Sequence, residues 1–175
     1  MKRLFPILGT LILTGLLWGC GYHLSGTSGR TGVIPEYVET IAVLPFENRT
    51  TRSEIEQRIT EEVASLMTRR GNYRVTTNAE DADAELNGVV SSYTTSPIQF
   101  DGEGRATRVE VVVAIEGVLR DTKSDEILWS QSGLVFREQF AFAAEGEFFD
   151  EESLAQDEIA KGAAATLVTS ILEGF

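Results

Sequence analysis

The chain has 175 residues, with 27 acidic against 15 basic side chains and a formal net charge of −12. It is long enough for one compact domain, too acidic to hold nucleic acid, and not expected to spread on an anionic membrane by charge alone. A single cysteine, Cys20, and a single histidine, His23, leave no internal disulfide and no transition-metal ligand set. At the N-terminus, Lys2 and Arg3 precede a mostly apolar run from Leu4 to Trp18, and small Gly19 stands before Cys20. That is the plan of a secretory signal peptide. The run is broken by Pro6, Gly9 and Gly15 and is shorter than the roughly 20 apolar residues of a spanning helix.

Leu17, Gly19 and Cys20 resemble the lipobox of bacterial lipoproteins, in which cleavage precedes the cysteine and its thiol carries diacylglycerol. The expected organisation is a signal peptide over residues 1–19, a lipidated tether over 20–32 and one domain over 33–175. Loss of Lys2 and Arg3 with the signal takes the formal charge from −12 to −14. Acyl chains on Cys20 supply the membrane anchor, at roughly 0.8 kcal/mol per buried CH₂. Gly21 stands where an inner-membrane retention signal often shows Asp, so the resemblance implies the outer membrane.

The tether "GYHLSGTSGRTG" is rich in Gly, Ser and Thr. Order is expected from Val33. "TIAVLPF", Thr40 to Phe46, reads as an interior strand with both faces buried, ended by Pro45. Ser53 with Glu56 forms a capping-box pattern, and Ile55, Ile59, Val63, Leu66 and Met67 recur on one helical face. Arg69 and Arg70 fall in the last turn, with Gly71 as the expected C-terminal cap.

A short strand around Tyr73 to Thr76 is followed by the acidic stretch "NAEDADAE". Three extended segments come next. Leu86 to Tyr93 is the first, and Arg108 to Arg120 is the clearest, because Val109, Val111, Val113, Ile115 and Leu119 alternate with a mixed face. Glu126 to Arg137 is the third, reached through the hairpin turn "DTKSDE"; "TSPIQFDGEGRAT" reads as a long loop between the first two. A terminal helix begins near Asp150, with Ile159, Ala163, Leu167 and Ile171 on one face and Ala163 to Ala165 allowing close approach to a sheet. The expected fold is α+β: a two-layer sandwich with two helices packed on one mixed sheet of about four strands.

Chemistry is sparse. His23 lies in the tether, far in sequence from any nucleophile. Glu80 to Glu85 lacks the Gly and terminal Glu spacing of a calcium loop, and "GEGRA" lacks the strand and helix context of a dinucleotide loop. Neither an enzyme nor a cofactor beyond the covalent lipid is expected.

Cys20-Gly21-Tyr22-His23-Leu24 resembles the C-G-[FWY]-x-L start of the LptE family of lipopolysaccharide-assembly lipoproteins. The likeness continues through the order of elements, with Val135-Phe136-Arg137 ending the last strand and Ala155-Gln156-Asp157 opening the terminal helix. The resemblance implies a non-enzymatic plug inside an LptD β-barrel that assists barrel assembly and lipopolysaccharide delivery at the outer membrane, with the domain on the periplasmic side. It also implies lipopolysaccharide contact by basic residues near the long hairpin, where Arg105 and Arg108 stand, with Arg137 a further candidate. Phe136, Phe140, Phe142, Phe148 and Phe149 cluster between strand and helix. Phe140 and Phe142 are candidates for contact with the barrel wall, against the commoner use of Phe as core.

"IAVLPFEN" is also similar to the first strand of CsgG-related modules, the TolB N-terminal domain and lipoprotein activators of penicillin-binding proteins. Those likenesses imply a secretion component or an activator of a cell-wall enzyme. A lipid-carrying chaperone would require an apolar interior pocket.

Overall fold

A computed structural model describes residues 33–141 and 148–174, with side chains of the second segment described from Ala155 onward. Its elements run β1 (Thr40–Val43), β2 (Glu47–Asn48), α1 (Ile55–Gly71), β3 (Arg74–Thr76), a 3₁₀ turn (Ala79–Asp81), β4 (Ala84–Phe100), β5 (Ala106–Asp121), β6 (Ile127–Ala141) and α2 (Phe148–Glu173). The strands form one six-stranded mixed sheet ordered β3-β1-β4-β5-β6, with β2 pairing β4. The two-helix, two-layer α+β architecture is as expected, but the sheet is larger than four strands.

β1 is interior and pairs in parallel with both β3 and β4. Parallel neighbours require a crossover, which α1 supplies. Ile41, Ala42 and Val43 are buried on both faces, as the apolar run predicts, and the strand stops before Pro45. β4, β5 and β6 form an antiparallel meander. The side chains of Val109, Val111, Val113, Ile115 and Leu119 on β5 all face the helices and are buried. Against them pack Ile55, Ile59, Val63 and Met67 of α1 and Ile159, Ala163, Leu167 and Ile171 of α2. Fully burying such an aliphatic side chain contributes roughly 1.5–3 kcal/mol.

Four sequence expectations are corrected. First, the long loop after Tyr93 is strand: β4 runs to Phe100 and turns in five residues to Ala106. Pro97 is tolerated because, past β2, only β5 pairs with β4, so the missing N–H falls on an open edge. Second, β6 continues past Arg137 to Ala141, and α2 starts at Phe148, so Ala155-Gln156-Asp157 lies within the helix rather than opening it.

Third, Ser53 does not cap α1. The preceding Glu54 is left-handed, at φ 65°, and no side chain caps the end; the Glu56 carboxylate instead accepts from Asn48 Nδ2 at 2.7 Å. Fourth, the left-handed C-terminal residue is Asn72, at φ 55°, and not Gly71. Gly71 is small for another reason: a Cβ there would lie 2.5 Å from the Tyr73 ring.

Glycines seat aromatic rings elsewhere too. Gly88 and Gly117 are opposite one another on β4 and β5. A Cβ would lie 2.4 Å from the Phe46 ring at Gly88 and 2.8 Å from Trp129 at Gly117. Just beyond this pair, both flanking strands are bulged at one level of β5. β4 shifts between Val90 and Ser92, and on β6 Ser132 and Gly133 together oppose Glu116, with Gly133 at φ 80°. Each bulge reverses which parity of residues faces the helices.

The end of the sheet opposite the long hairpin tip is tied by carboxylates. Asp121, only 3% exposed, accepts from Tyr37 Oη (2.7 Å), Ser124 N (2.7 Å), Lys123 N (2.8 Å) and Ser124 Oγ (3.0 Å). Asp83 accepts from the backbone of Glu39 and Thr40 and from Lys123 Nζ. The acidic stretch before β4 therefore carries one structural clamp.

The Ser124 backbone donor and then the Tyr37 hydroxyl hold the Asp121 carboxyl far below its ordinary range, and the Glu39 and Thr40 amides lower Asp83. A carboxyl lowered on folding stabilises above its unfolded pKa of about 4, and that stabilisation is lost as pH falls toward the folded value. Tyr37 is raised by the bond it donates to Asp121, so its contribution is lost as pH rises above about 10. The melting temperature is expected to be level between these limits and to fall on the acid side. Asp121→Asn is expected to melt lower at pH 7 and to converge on the parent as pH drops below 4. Parallel curves over that whole range would rule out the linkage.

Candidate functional site

The distal hairpin of β4 and β5 carries two of the arginines singled out in the sequence, and β6 carries the third. Its turn is built on Asp101, whose Oδ1 accepts from the backbone N–H of Glu103 and of Arg105, both at 2.9 Å, while Gly104 sits at φ 80°. Arg105 folds back onto its own turn, with Nε 2.8 Å from Asp101 Oδ2 and its guanidinium also paired with Glu103. Bonds from the Arg105 backbone and side chain hold the Asp101 carboxyl below its usual range. The charge of Arg105 is thus compensated locally.

Arg108 and Arg137 are placed differently. Arg108 alternates with buried Val109, and Arg137 opposes Val112 and follows Phe136, whose ring lies under Gly162 of α2. Both arginines therefore stand on the helix-free face, exposed, on adjacent strands. Arg108 is level with Ala141 and Arg137 with Val112, a separation of about 14 Å along the strands at roughly 3.4 Å per residue. Neither side chain forms a hydrogen bond or ion pair with another described residue. Between them stands the pair Glu110 and Gln139, so the spot is local and set in a polar face.

Phe140 faces the other way. It opposes Val109 and is half-buried against the core, which is the packing role that its residue type favours. With Phe136, Glu138, Glu158, Lys161 and Gly162 it lines a groove of about 510 Å³ between β6 and α2. Cys20, His23 and Phe142 lie outside the described residues, as do the side chains of Phe148 and Phe149.

The sequence reading missed Ile98 and Phe100, which are 44% and 57% exposed near the hairpin tip. Their two-residue spacing is a strand signal, hidden by Pro97 and the glycines after it. Exposed Val135 adds an aliphatic contact on the helix-free face.

Among the described residues, no group of three or more His, Cys, Asp or Glu is placed to hold a metal ion. None of their helices is long and apolar enough to cross a membrane.

A family model described as LptE, lipopolysaccharide-assembly, matches residues 38–171. The fold is shared with solved structures that include two lipoproteins. Lipoprotein B from Nitrosomonas europaea is 14% identical at a TM-score of 0.52, over 84% of this chain and 90% of that one. The rare lipoprotein B from Shewanella oneidensis is 16% identical at a TM-score of 0.51, over 75% of this chain and 92% of its own. No curated protein sequence matches the chain.

Proposed function

The chain belongs to the LptE family of lipopolysaccharide-assembly lipoproteins, and from that premise we propose that it is an outer-membrane lipoprotein, anchored through Cys20, that plugs and helps assemble an LptD-type β-barrel. The observation that carries this reading is the family match over residues 38–171, which spans β1 to α2 almost completely. The family is non-enzymatic, so the function is one of surfaces. A domain tethered in the same membrane as its barrel meets it at raised effective concentration, and a strongly polar exterior suits the polar interior of such a barrel. The hairpin tip with Arg105, Ile98 and Phe100, together with Phe142, supplies its contacts to the wall, while Phe140 keeps its packing role against the core.

Lipopolysaccharide is held, in this reading, by Arg108 and Arg137 on the helix-free face, whose guanidinium groups suit phosphate in charge-assisted pairs. Arg105 adds less, since Asp101 and Glu103 already occupy it. A hydrogen bond to a charged group is worth about 1.5–3 kcal/mol. Arg108→Glu with Arg137→Glu removes two such contacts and is therefore expected to weaken lipopolysaccharide binding by the purified chain by about a hundredfold or more, while Arg105→Glu changes it little. Unchanged affinity in the double variant, with its melting temperature preserved, would remove these arginines from the site.

A further inference from the structure

β6 is the last strand of the sheet, and among the described residues nothing pairs with its outer edge. An edge strand presents a row of backbone N–H and C=O groups able to accept another strand. The bulge at Ser132 and Gly133 interrupts that row, leaving Leu134 to Ala141 as a regular stretch of eight residues, in which the Gln139 N–H rests on the Glu138 carboxylate at 3.2 Å, a contact that an added strand displaces. Directly beside this stretch, on the helix side, lies the groove of about 510 Å³ floored by Phe136 and Phe140 and walled by Glu158, Lys161 and Gly162 of α2. The volume falls within the usual range of ligand sites, about 300–1,000 Å³.

An open strand edge next to a groove between that strand and a helix is the geometry of peptide recognition by strand addition: the edge binds the peptide backbone, and the groove receives alternate side chains. We infer that β6 and α2 form a docking site for an extended peptide segment of a partner protein. The segment adds as a seventh strand along Leu134 to Ala141, with an apolar side chain on the Phe136 and Phe140 floor and a basic one toward Glu138.

The charge of the groove selects that occupant. Lys161 is paired with Glu158 at 3.0 Å, whereas the Glu138 carboxylate accepts from the backbone N–H of Gln139 at 3.2 Å and has no cationic partner among the described residues, so the groove keeps one negative charge without a counter-charge. A phosphate-bearing lipid would meet Glu138 as a like charge and would leave the strand edge unpaired. A second copy of this acidic chain would bring two such grooves together. Gly162 keeps the helix close: a Cβ there would lie 2.1 Å from the Phe136 ring. The site is on the opposite face from Arg108 and Arg137, so its occupancy is independent of lipopolysaccharide contact.

The test uses the full chain in detergent and fluorescein-labelled nonapeptides in which Thr occupies alternate positions and Leu and Lys alternate at the others. A second peptide carries Glu in place of Lys, and a third is the Lys peptide N-methylated at alternate amides, prepared in both phases. Fluorescence polarisation is expected to show the Lys peptide binding about tenfold more tightly than the Glu peptide, with Glu138→Lys reversing that order. One phase of N-methylation is expected to abolish binding and the other to leave it, and bound peptide is expected to slow amide exchange over Leu134 to Ala141. Absence of binding by the Lys peptide, indifference to both N-methylation phases, an unchanged order in Glu138→Lys, or protection by lipid micelles alone would each overturn the proposal.

Discussion

Gly88→Ala is expected to lower the unfolding free energy by about 3 kcal/mol, the upper end of the usual range for over-packing a core. Gly88 is buried on the helix side of β4, and an added Cβ would lie within 2.5 Å of three atoms of the Phe46 ring. The ring has little freedom to retreat. Phe46 is 4% exposed, and its backbone N–H is held by Thr60 Oγ1 of α1 at 3.1 Å. The partner across the ladder, Gly117, is already occupied by Trp129 and Leu167. Denaturant unfolding of Gly88→Ala, Phe46→Leu and the double variant forms a cycle in which the double variant costs less than the two single changes together. An Ala variant as stable as the parent would show that the ring is not wedged there.

Cys20→Ser is expected to release the protein from the outer membrane completely, the largest functional effect of any single change. In the proposed reading the lipid is carried by the Cys20 thiol, the only thiol in the chain. Two or three acyl chains at roughly 0.8 kcal/mol per buried CH₂ make the anchor stable where one chain would be marginal. None of the described helices offers a membrane span as substitute, and a net charge of −12 gives no attraction to anionic headgroups. Membrane fractionation with intact-mass measurement checks both parts: the parent carries the mass of its acyl groups and sediments with the outer membrane, while the variant lacks that mass and is absent from the outer-membrane fraction. A serine variant retained in the outer membrane at parental level would contradict the anchor.

The elements most legible in the sequence were those whose periodicity survives alone. Strict alternation from Val109 to Leu119 identified β5 and its core face, and the four-residue recurrence of Ile159, Ala163, Leu167 and Ile171 identified the packed face of α2. The long hairpin was not legible, because Pro97, Gly102 and Gly104 carry the composition of a loop, and only the pairing with β5 shows that the first of them is on an open edge. Bulges at Ser91 and Gly133 shifted the parity of β4 and β6, so no single alternation runs their full length. The glycine and aromatic partnerships join residues far apart in sequence, such as Phe136 and Gly162.

The candidate site was legible in the same partial way. Arg105 and Arg108 look equivalent as letters three apart, yet the Asp101 turn compensates the first, and strand alternation turns the second onto the helix-free face. Phe136 and Phe140 read as part of an aromatic cluster; their alternate spacing with Glu138 along an edge strand, opposite α2, is what makes them a groove.

The most direct measurement places a photo-crosslinker in turn at Arg105 and at Phe142 of the intact lipoprotein, irradiates outer membranes and identifies the captured partner by mass. The account predicts a β-barrel of LptD type at one position or both. Capture of a penicillin-binding protein, or of further copies of the chain in a ring, would contradict it.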